Sequence, residues 1–147
     1  MGQAEFGTGK TEEHCMSKPD KERYSWKQFE DDCETLAVWA RGKKFKSIFG
    51  IPRGGLVLAV KLSHLLDIPL VLNREDITGH TLIVDDIADS GGTLERLKST
   101  FGGHCAIATI YKGENPRVAP DFSLRVKREW VVFPWETEQT SRYDETV

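Results

Sequence analysis

The most informative segment of the chain is LIVDDIADSGGT, which runs from Leu82 to Thr93. Its apolar first half predicts a buried strand, and its second half predicts a turn that opens a helix. Glycines let backbone N–H groups approach an anion closely, and a helix N-terminus adds partial positive charge. Because two hydroxyl side chains are also present, the turn predicts a cradle for a monophosphate, formed by Ser90, Gly91, Gly92 and Thr93.

Three acids precede or enter this turn: Asp85, Asp86 and Asp89. Carboxylates repel a phosphate, so Asp85 and Asp86 are expected to face sugar hydroxyls or a hard cation such as Mg²⁺. The simpler interpretation is a solvated strand end followed by an ordinary helix cap. Capping, however, needs neither the third acid nor the pair of glycines.

Apolar strands alternate with helical patterns on both sides of this segment. Ser25 and Gln28 have the spacing of a capping box, and apolar residues at helical spacing follow as far as Ala40, before Gly42. The other patterns predict helices over 56–66 and about 92–101, and strands over 46–51, 69–72, 81–84, 104–111 and 130–133. The alternation predicts an α/β fold, with helices on both faces of a mostly parallel central sheet. Ligands of such sheets bind beyond the carboxyl ends of the strands.

Length and composition favour one small domain. The chain has 147 residues, 39% of them hydrophobic, which is enough for a single core and too few for two ordinary domains. Residues 1–22 are polar and lack an apolar period, so they are predicted to be a flexible arm, with the domain over 23–147. No apolar run approaches the roughly 18 residues of a membrane span, so no membrane partner is expected.

Charge and cysteine usage restrict the class of partner and the compartment. The net charge of −3 disfavours a protein built to bind nucleic acid. The three cysteines are odd in number and form no CxxC pair, which favours free thiols in a reducing compartment. The N-terminus lacks a basic start followed by an apolar stretch, so no secretory signal is predicted. Together these features predict a cytoplasmic protein.

LIVDDIADSGGT resembles the ribose-phosphate signature of the type I phosphoribosyltransferases, in which two acids precede a third acid and a [Ser/Thr]-Gly-x-Thr loop. A second resemblance is GIPRGGL, from Gly50 to Leu56, which lies where this family places its pyrophosphate-binding loop. Tyr111-Lys112 and the segment WVVFPWE over 130–136 look like the base-recognition elements of the xanthine/guanine/hypoxanthine subgroup. The resemblance spans residues 25–136, and the last segment implies a short C-terminal base-recognition region.

The resemblance implies transfer of the phosphoribosyl group from phosphoribosyl pyrophosphate to guanine, xanthine or hypoxanthine, with Mg²⁺ and release of pyrophosphate. It implies that Asp89 is catalytic at the purine N7 and that Asp85 and Asp86 hold the ribose hydroxyls and the metal. The phosphoribosyl pyrophosphate would bind to Arg53, Gly54, Asp85, Asp86, Ser90, Gly91, Gly92 and Thr93. The base would bind to Lys112, Trp130 and Val131. A homo-oligomer, dimer or tetramer, is expected from the same resemblance.

Two alternatives stay open. The family usually has a long mobile loop before its acidic strand, and here that connection is only NREDITG, residues 73–79, which is too short for a full lid. This favours a regulator that binds phosphoribosyl pyrophosphate or a nucleotide without turnover, and an open site also permits a hydrolase. Outside the signature, Trp135 is expected to be structural. Glu136 could belong to the metal site or the base edge, but a solvated acid is the favoured interpretation.

Overall fold

The computed structural model describes residues 21–101 and 104–141 and contains two parallel sheets. The strands are β1 (Lys21–Arg23), β2 (Ser47–Gly50), β3 (Leu70–Val71), β4 (Thr81–Ala88), β5 (Ala106–Lys112), β6 (Phe122–Val126) and β7 (Trp130–Val132). The larger sheet has the order β3-β2-β4-β5-β6, and β1 pairs with β7 in a separate two-stranded sheet. Residues 1–20 of the predicted arm lie outside the described residues, whereas Lys21 and Glu22 form part of β1.

Helices cover both faces of the larger sheet. They are α1 (Trp26–Arg41), α2 (Gly54–Leu66) and α3 (Gly92–Thr100). On one face, side chains of α1 and α2 such as Leu36 and Leu62 pack with Leu82 of β4. On the other face, Leu94 and Leu97 of α3 pack with the neighbouring Ile83 and with Ile107 of β5. The predicted α/β fold is confirmed, since successive strand residues alternate between the two cores.

The first helix begins where the sequence predicts. The Ser25 hydroxyl accepts the backbone N–H of Gln28 at 3.1 Å, and the Gln28 side chain accepts the backbone N–H of Ser25 at 2.9 Å. This reciprocal capping box closes the N-terminus of α1. None of the three helices is long and apolar enough to cross a membrane; this holds for the described part of the chain.

Two strands differ from the prediction. β4 runs on to Ala88 instead of ending at Val84, so Asp85 and Asp86 lie inside it, because its pairing with β5 continues to the register Ala88↔Lys112. β6 was not predicted at all. Its sequence FSLRV alternates apolar and polar side chains, and pairing with β5 makes it the edge strand of the sheet.

A polar cluster joins α1 to β6. Asp32 accepts the Tyr24 hydroxyl at 2.5 Å and two guanidinium N–H groups of Arg125 at 2.8 and 3.1 Å. The Asp32 side chain is 11% exposed, so its charge depends on these partners. The cluster therefore holds the opening helix against the edge of the sheet.

We expect Asp32→Ala to lower the free energy of unfolding by about 2 kcal/mol, because it leaves Arg125 and the buried Tyr24 hydroxyl without their acceptor. Urea denaturation measures the change. Asp31→Ala is the matched control, since the exposed Asp31 carboxylate forms an ion pair with the exposed Lys27 across one helical turn. Equal effects of the two substitutions would show that the cluster adds nothing to stability.

Candidate functional site

A cavity of about 160 Å³, here called the main cavity, opens at the carboxyl ends of β2 and β4. Seven of the residues predicted from the sequence line it: Arg53, Gly54, Asp85, Asp86, Asp89, Gly91 and Thr93. Ser90 and Gly92 belong to the same turn, where Ser90 is exposed and Gly92 is buried at the start of α3. The structure thus brings the predicted phosphate turn, the acids and the Pro52–Gly55 loop to one place.

The phosphate turn is held by its own side chains and by the connection between β5 and β6. The Ser90 hydroxyl accepts the Gly92 N–H at 3.3 Å, and the Ser90 carbonyl accepts the Arg117 N–H at 2.8 Å. Gly91 has a φ of +87°, and a Cβ there would lie 2.7 Å from the backbone nitrogen of Val118. Both the conformation and the close approach therefore require glycine at this position.

The loop before α2 lies directly against the acids of β4. A Cβ added to Gly54 would lie 1.8 Å from Oδ2 of Asp86, and one added to Gly55 would lie 2.6 Å from the carbonyl oxygen of Val84. The start of α2 can approach the strand this closely only because both residues lack side chains. As a result, Arg53 and Asp86 line the same cavity.

Two acids of the main cavity, Asp86 and Glu136, have raised pKa values. Burial raises the pKa of Asp86 to about 6, and the negative charge of Glu136 contributes to the rise. Burial also raises the pKa of Glu136, whose carboxylate accepts the backbone N–H of Phe133 at 3.0 Å. The expectation that Glu136 is a solvated acid is wrong, because the chain after β7 folds back and places it on the wall of the cavity.

The carboxylates of Asp85 and Asp86 fit a magnesium ion that binds together with a phosphorylated ligand. No cluster of three or more His, Cys, Asp or Glu side chains that could hold a metal occurs in residues 21–101 and 104–141. Asp85 and Asp86 nevertheless offer adjacent carboxylates on one strand. Mg²⁺ in proteins often uses one or two carboxylates, several waters and substrate phosphates, so the donor set matches that mode of binding.

Burial of the Asp86 charge should cost stability, and Asp86→Asn tests this. The folded protein binds more protons than the unfolded chain between about pH 4 and 6, so the contribution of Asp86 to the free energy of unfolding falls across that window. We expect Asp86→Asn to stabilise the protein by on the order of 2 kcal/mol at pH 7 and to give no gain near pH 4. Urea denaturation at both pH values measures the difference. Asp76→Asn, at an exposed position, is the control, and a gain that does not change with pH would contradict the assignment.

A second cavity of about 50 Å³, here called the side cavity, adjoins the main cavity and shares Ile87, Asp89 and Glu136 with it. Trp130 and Val131, two of the predicted base-binding residues, line it. The third, Lys112, lines neither cavity. Asp89 therefore lies at the junction of the two spaces, where two bound molecules would meet.

Lys127 lines the side cavity and was not among the predicted site residues. Its Nζ lies 2.5 Å from Oδ2 of Asp89 and 5.3 Å from the centre of the Trp130 ring. The signal that could have found it is the alternation of β6, because Lys127 is the first residue after that strand and ligands bind beyond strand ends.

Trp135 lines the main cavity and also belongs to an aromatic cluster. Its ring stacks on Phe133 with the centroids 5.0 Å apart and contacts Trp26 and Phe29. In the described part of the chain, its indole Nε1 is the only buried side-chain nitrogen or oxygen without a hydrogen-bond partner. The residue therefore serves the core and the cavity wall together.

No protein-family model matches the chain. Individual proteins do. The chain is 32% identical over 151 residues to the xanthine-guanine phosphoribosyltransferase of Nitratidesulfovibrio vulgaris, an alignment that covers 84% of the chain and 91% of that protein. It is 33% identical over 148 residues to the protein of the same name from Desulfotalea psychrophila, with 84% and 92% covered. Among solved structures, the purine phosphoribosyltransferase of Pyrococcus horikoshii superimposes with a TM-score of 0.72 at 32% identity, over 80% of this chain and 95% of that one.

Proposed function

Because the chain belongs to the family of xanthine-guanine phosphoribosyltransferases, we propose that its two cavities bind the two substrates of phosphoribosyl transfer. The protein transfers the phosphoribosyl group from phosphoribosyl pyrophosphate to a 6-oxopurine and releases pyrophosphate. The assignment of one substrate to each cavity rests on the position of Asp89, which lines both cavities. A group at that junction can touch the base while the sugar is bound beside it.

The main cavity would receive phosphoribosyl pyrophosphate. The turn over residues 90–93 offers backbone N–H groups, hydroxyls and the N-terminus of α3 to the 5′-phosphate, and Arg53 with Gly54 lies where pyrophosphate would leave. Asp85 and Asp86 would hold the ribose hydroxyls and a Mg²⁺ ion. When bound, that ion would neutralise charge that develops on the departing pyrophosphate.

The side cavity would receive the base. Trp130 offers a flat apolar face for a purine ring, and its Nε1 is turned to the Ser141 carbonyl and hydroxyl oxygens at 3.0 Å, which holds the ring in place. Asp89 would then face the imidazole edge of the base and take its proton. Holding base and sugar at adjoining positions removes most of the orientational part of the barrier, which is the main contribution expected in this reaction.

Incubation of the protein with phosphoribosyl pyrophosphate, Mg²⁺ and one base at a time tests the proposal. Hypoxanthine, guanine and xanthine are expected to give nucleotide and pyrophosphate, and adenine much less. Pyrophosphate without nucleotide would indicate a hydrolase instead. Calorimetric binding of phosphoribosyl pyrophosphate without either product would indicate a regulator.

One observation favours the regulator as the second candidate. The connection from β3 to β4 holds a single 3₁₀ turn, Arg74–Asp76, and Ile77 of that connection is buried in the core beside α3. None of its residues lines the main cavity. A connection anchored in this way leaves the cavity open to water, and exclusion of water normally protects a cationic sugar intermediate.

Buried thiols and exposed apolar side chains elsewhere in the fold support a proposal about subunit assembly and cellular location. We propose a homo-oligomer, a dimer or a tetramer, that acts in the cytoplasm without a nucleic-acid partner. Cys33 and Cys105 are buried free thiols, as a reducing compartment permits, and Val38 and Leu72 are 66% and 70% exposed, which a subunit contact would cover. Sedimentation equilibrium would give the mass, and a monomer at micromolar concentration would contradict the oligomer.

A further inference from the structure

Strand β7 carries Trp130 and Val131, which line the side cavity, but it lies outside the five-stranded sheet. Among the described strands it pairs with β1 alone, in parallel, with Glu22 opposite Val131. Two isolated strands are marginally stable in water, so the place of this pair depends on its contacts with the rest of the fold. The position of the proposed base site is therefore set from outside β7.

A hydrogen bond connects this pair of strands to the larger sheet. The Tyr111 hydroxyl on β5 donates to Oε2 of Glu22 at 2.6 Å. Tyr111 is 1% exposed, and its burial together with the Glu22 carboxylate raises the pKa of its hydroxyl, which therefore keeps its proton and acts as the donor. A hydrogen bond to a charged acceptor is short and directional, whereas the apolar packing around it is not directional.

This hydrogen bond lies beside the two cavities. Tyr111 is the register partner of Ile87 on β4, and Ile87 lines both cavities. The Tyr111 ring also contacts Phe133, which lines the side cavity, with the ring centres 5.9 Å apart. A shift of β1 against β5 would therefore change the width of the side cavity.

We propose that Glu22 is a positioning residue of the base site: by accepting the Tyr111 hydroxyl, it fixes β1 and β7 at the distance from β4 at which a bound base reaches the sugar. The inference rests on the proposed phosphoribosyl transfer. Glu22 lines neither cavity, so it acts through β7 and not on the ligand. A misplacement of reacting groups by about 1 Å can slow a reaction about 100-fold, so a contact of this kind can control the rate.

Steady-state kinetics of Tyr111→Phe and Glu22→Ala with hypoxanthine tests the proposal. We expect kcat/KM for hypoxanthine to fall about 10- to 100-fold in each variant. The KM for phosphoribosyl pyrophosphate should stay within about twofold, because the residues proposed to bind that ligand lie outside β1 and β7. The two effects should not add in the double variant, since each substitution breaks the same bond. Losses that multiply would show that the two groups act independently and would overturn the inference.

Glu22→Gln is the conservative variant. The amide oxygen of glutamine also accepts a hydroxyl, so kcat/KM for hypoxanthine should stay within about threefold of the unmodified protein. A loss as large as that of Glu22→Ala would overturn the inference, because acceptance of the Tyr111 hydroxyl would then not be the cause. The matched control is Glu34→Ala, which removes an exposed acid of α1 and should behave as the unmodified protein.

The outcomes separate this inference from the function on which it rests. If the unmodified protein transfers to hypoxanthine and Tyr111→Phe keeps its kcat/KM, the inference fails and the function stands. Equal losses for hypoxanthine and for phosphoribosyl pyrophosphate would show a general structural role and would overturn it too. Tyr111→Phe removes a single oxygen atom, so it decides the question if Glu22→Ala does not fold.

If the unmodified protein transfers to no base, the function fails and binding tests the inference by itself. Calorimetric titration compares Tyr111→Phe with the unmodified protein, using inosine 5′-monophosphate and ribose 5-phosphate. Weaker binding of the nucleotide with unchanged binding of the sugar phosphate would support the positioning role of Glu22. Any other result would overturn it.

Discussion

Replacement of Asp89 by asparagine is expected to lower kcat by about 10²- to 10⁴-fold, with less than about threefold change in the affinity for phosphoribosyl pyrophosphate. A purine that bonds to the sugar must lose a proton, and Asp89, which lines both cavities, would reach the base at the reacting position in the proposed complex. Asparagine has nearly the same shape but cannot take the proton. A proton-transfer partner acts mainly in the transition state, so kcat should fall far more than binding.

Pre-steady-state kinetics and calorimetric titration with phosphoribosyl pyrophosphate separate the two quantities for Asp89→Asn. Glu114→Gln is the control, because Glu114 is an exposed acid that pairs with Arg128 and lines neither cavity. Equal losses in kcat and in affinity would mean that Asp89 only shapes the site. Loss of affinity alone would place it on the sugar instead of the base.

The second large effect is expected at Gly54. In Gly54→Ala the new Cβ would lie 1.8 Å from Oδ2 of Asp86, so the start of α2 or the buried carboxylate must move by an ångström or more. A displacement of that size between groups that bind one ligand costs about 100-fold. We expect the affinity for phosphoribosyl pyrophosphate with Mg²⁺ to fall by at least about that factor, and the melting temperature to fall as well.

Gly79→Ala is the matched control for Gly54→Ala. A Cβ at Gly79 would meet no atom within 4 Å, and its φ is not positive, so the same change in side chain should alter neither binding nor stability. Calorimetric titration and thermal unfolding of the two variants measure both effects. If Gly54→Ala binds phosphoribosyl pyrophosphate as the unmodified protein does, the loop before α2 does not take part in binding.

The fold class and the turn that opens α3 were predictable because their signals are local. The capping box of α1, the apolar stripes and the glycines before α3 each depend on residues close in sequence. The C-terminal end of β4 was not predictable in the same way. Asp85 and Asp86 are poor strand formers, and they stay in the strand only because β5 continues to pair with it.

The residues missed at the site depend on contacts between distant segments. Lys127 reaches Asp89 across 38 positions of sequence, and only after β6 has joined the edge of the sheet. The chain folds back after β7 and places Glu136 on the wall of the main cavity. The local sequence pattern around Glu136 does not predict this fold-back. Local composition therefore predicted more of the residues that line the main cavity than of those that line the side cavity.

The contact between Gly91 and Val118 has a consequence for engineering. Surface connections usually accept inserted residues, and residues 113–121 have the composition of such a segment. Here the connection instead braces the phosphate turn, through the Arg117 N–H on the Ser90 carbonyl and the Val118 backbone beside Gly91. An epitope tag, a reporter or a permuted terminus inserted there would disrupt these contacts with the turn. The surroundings of Gly79 are open, so an insertion at that position would be tolerated.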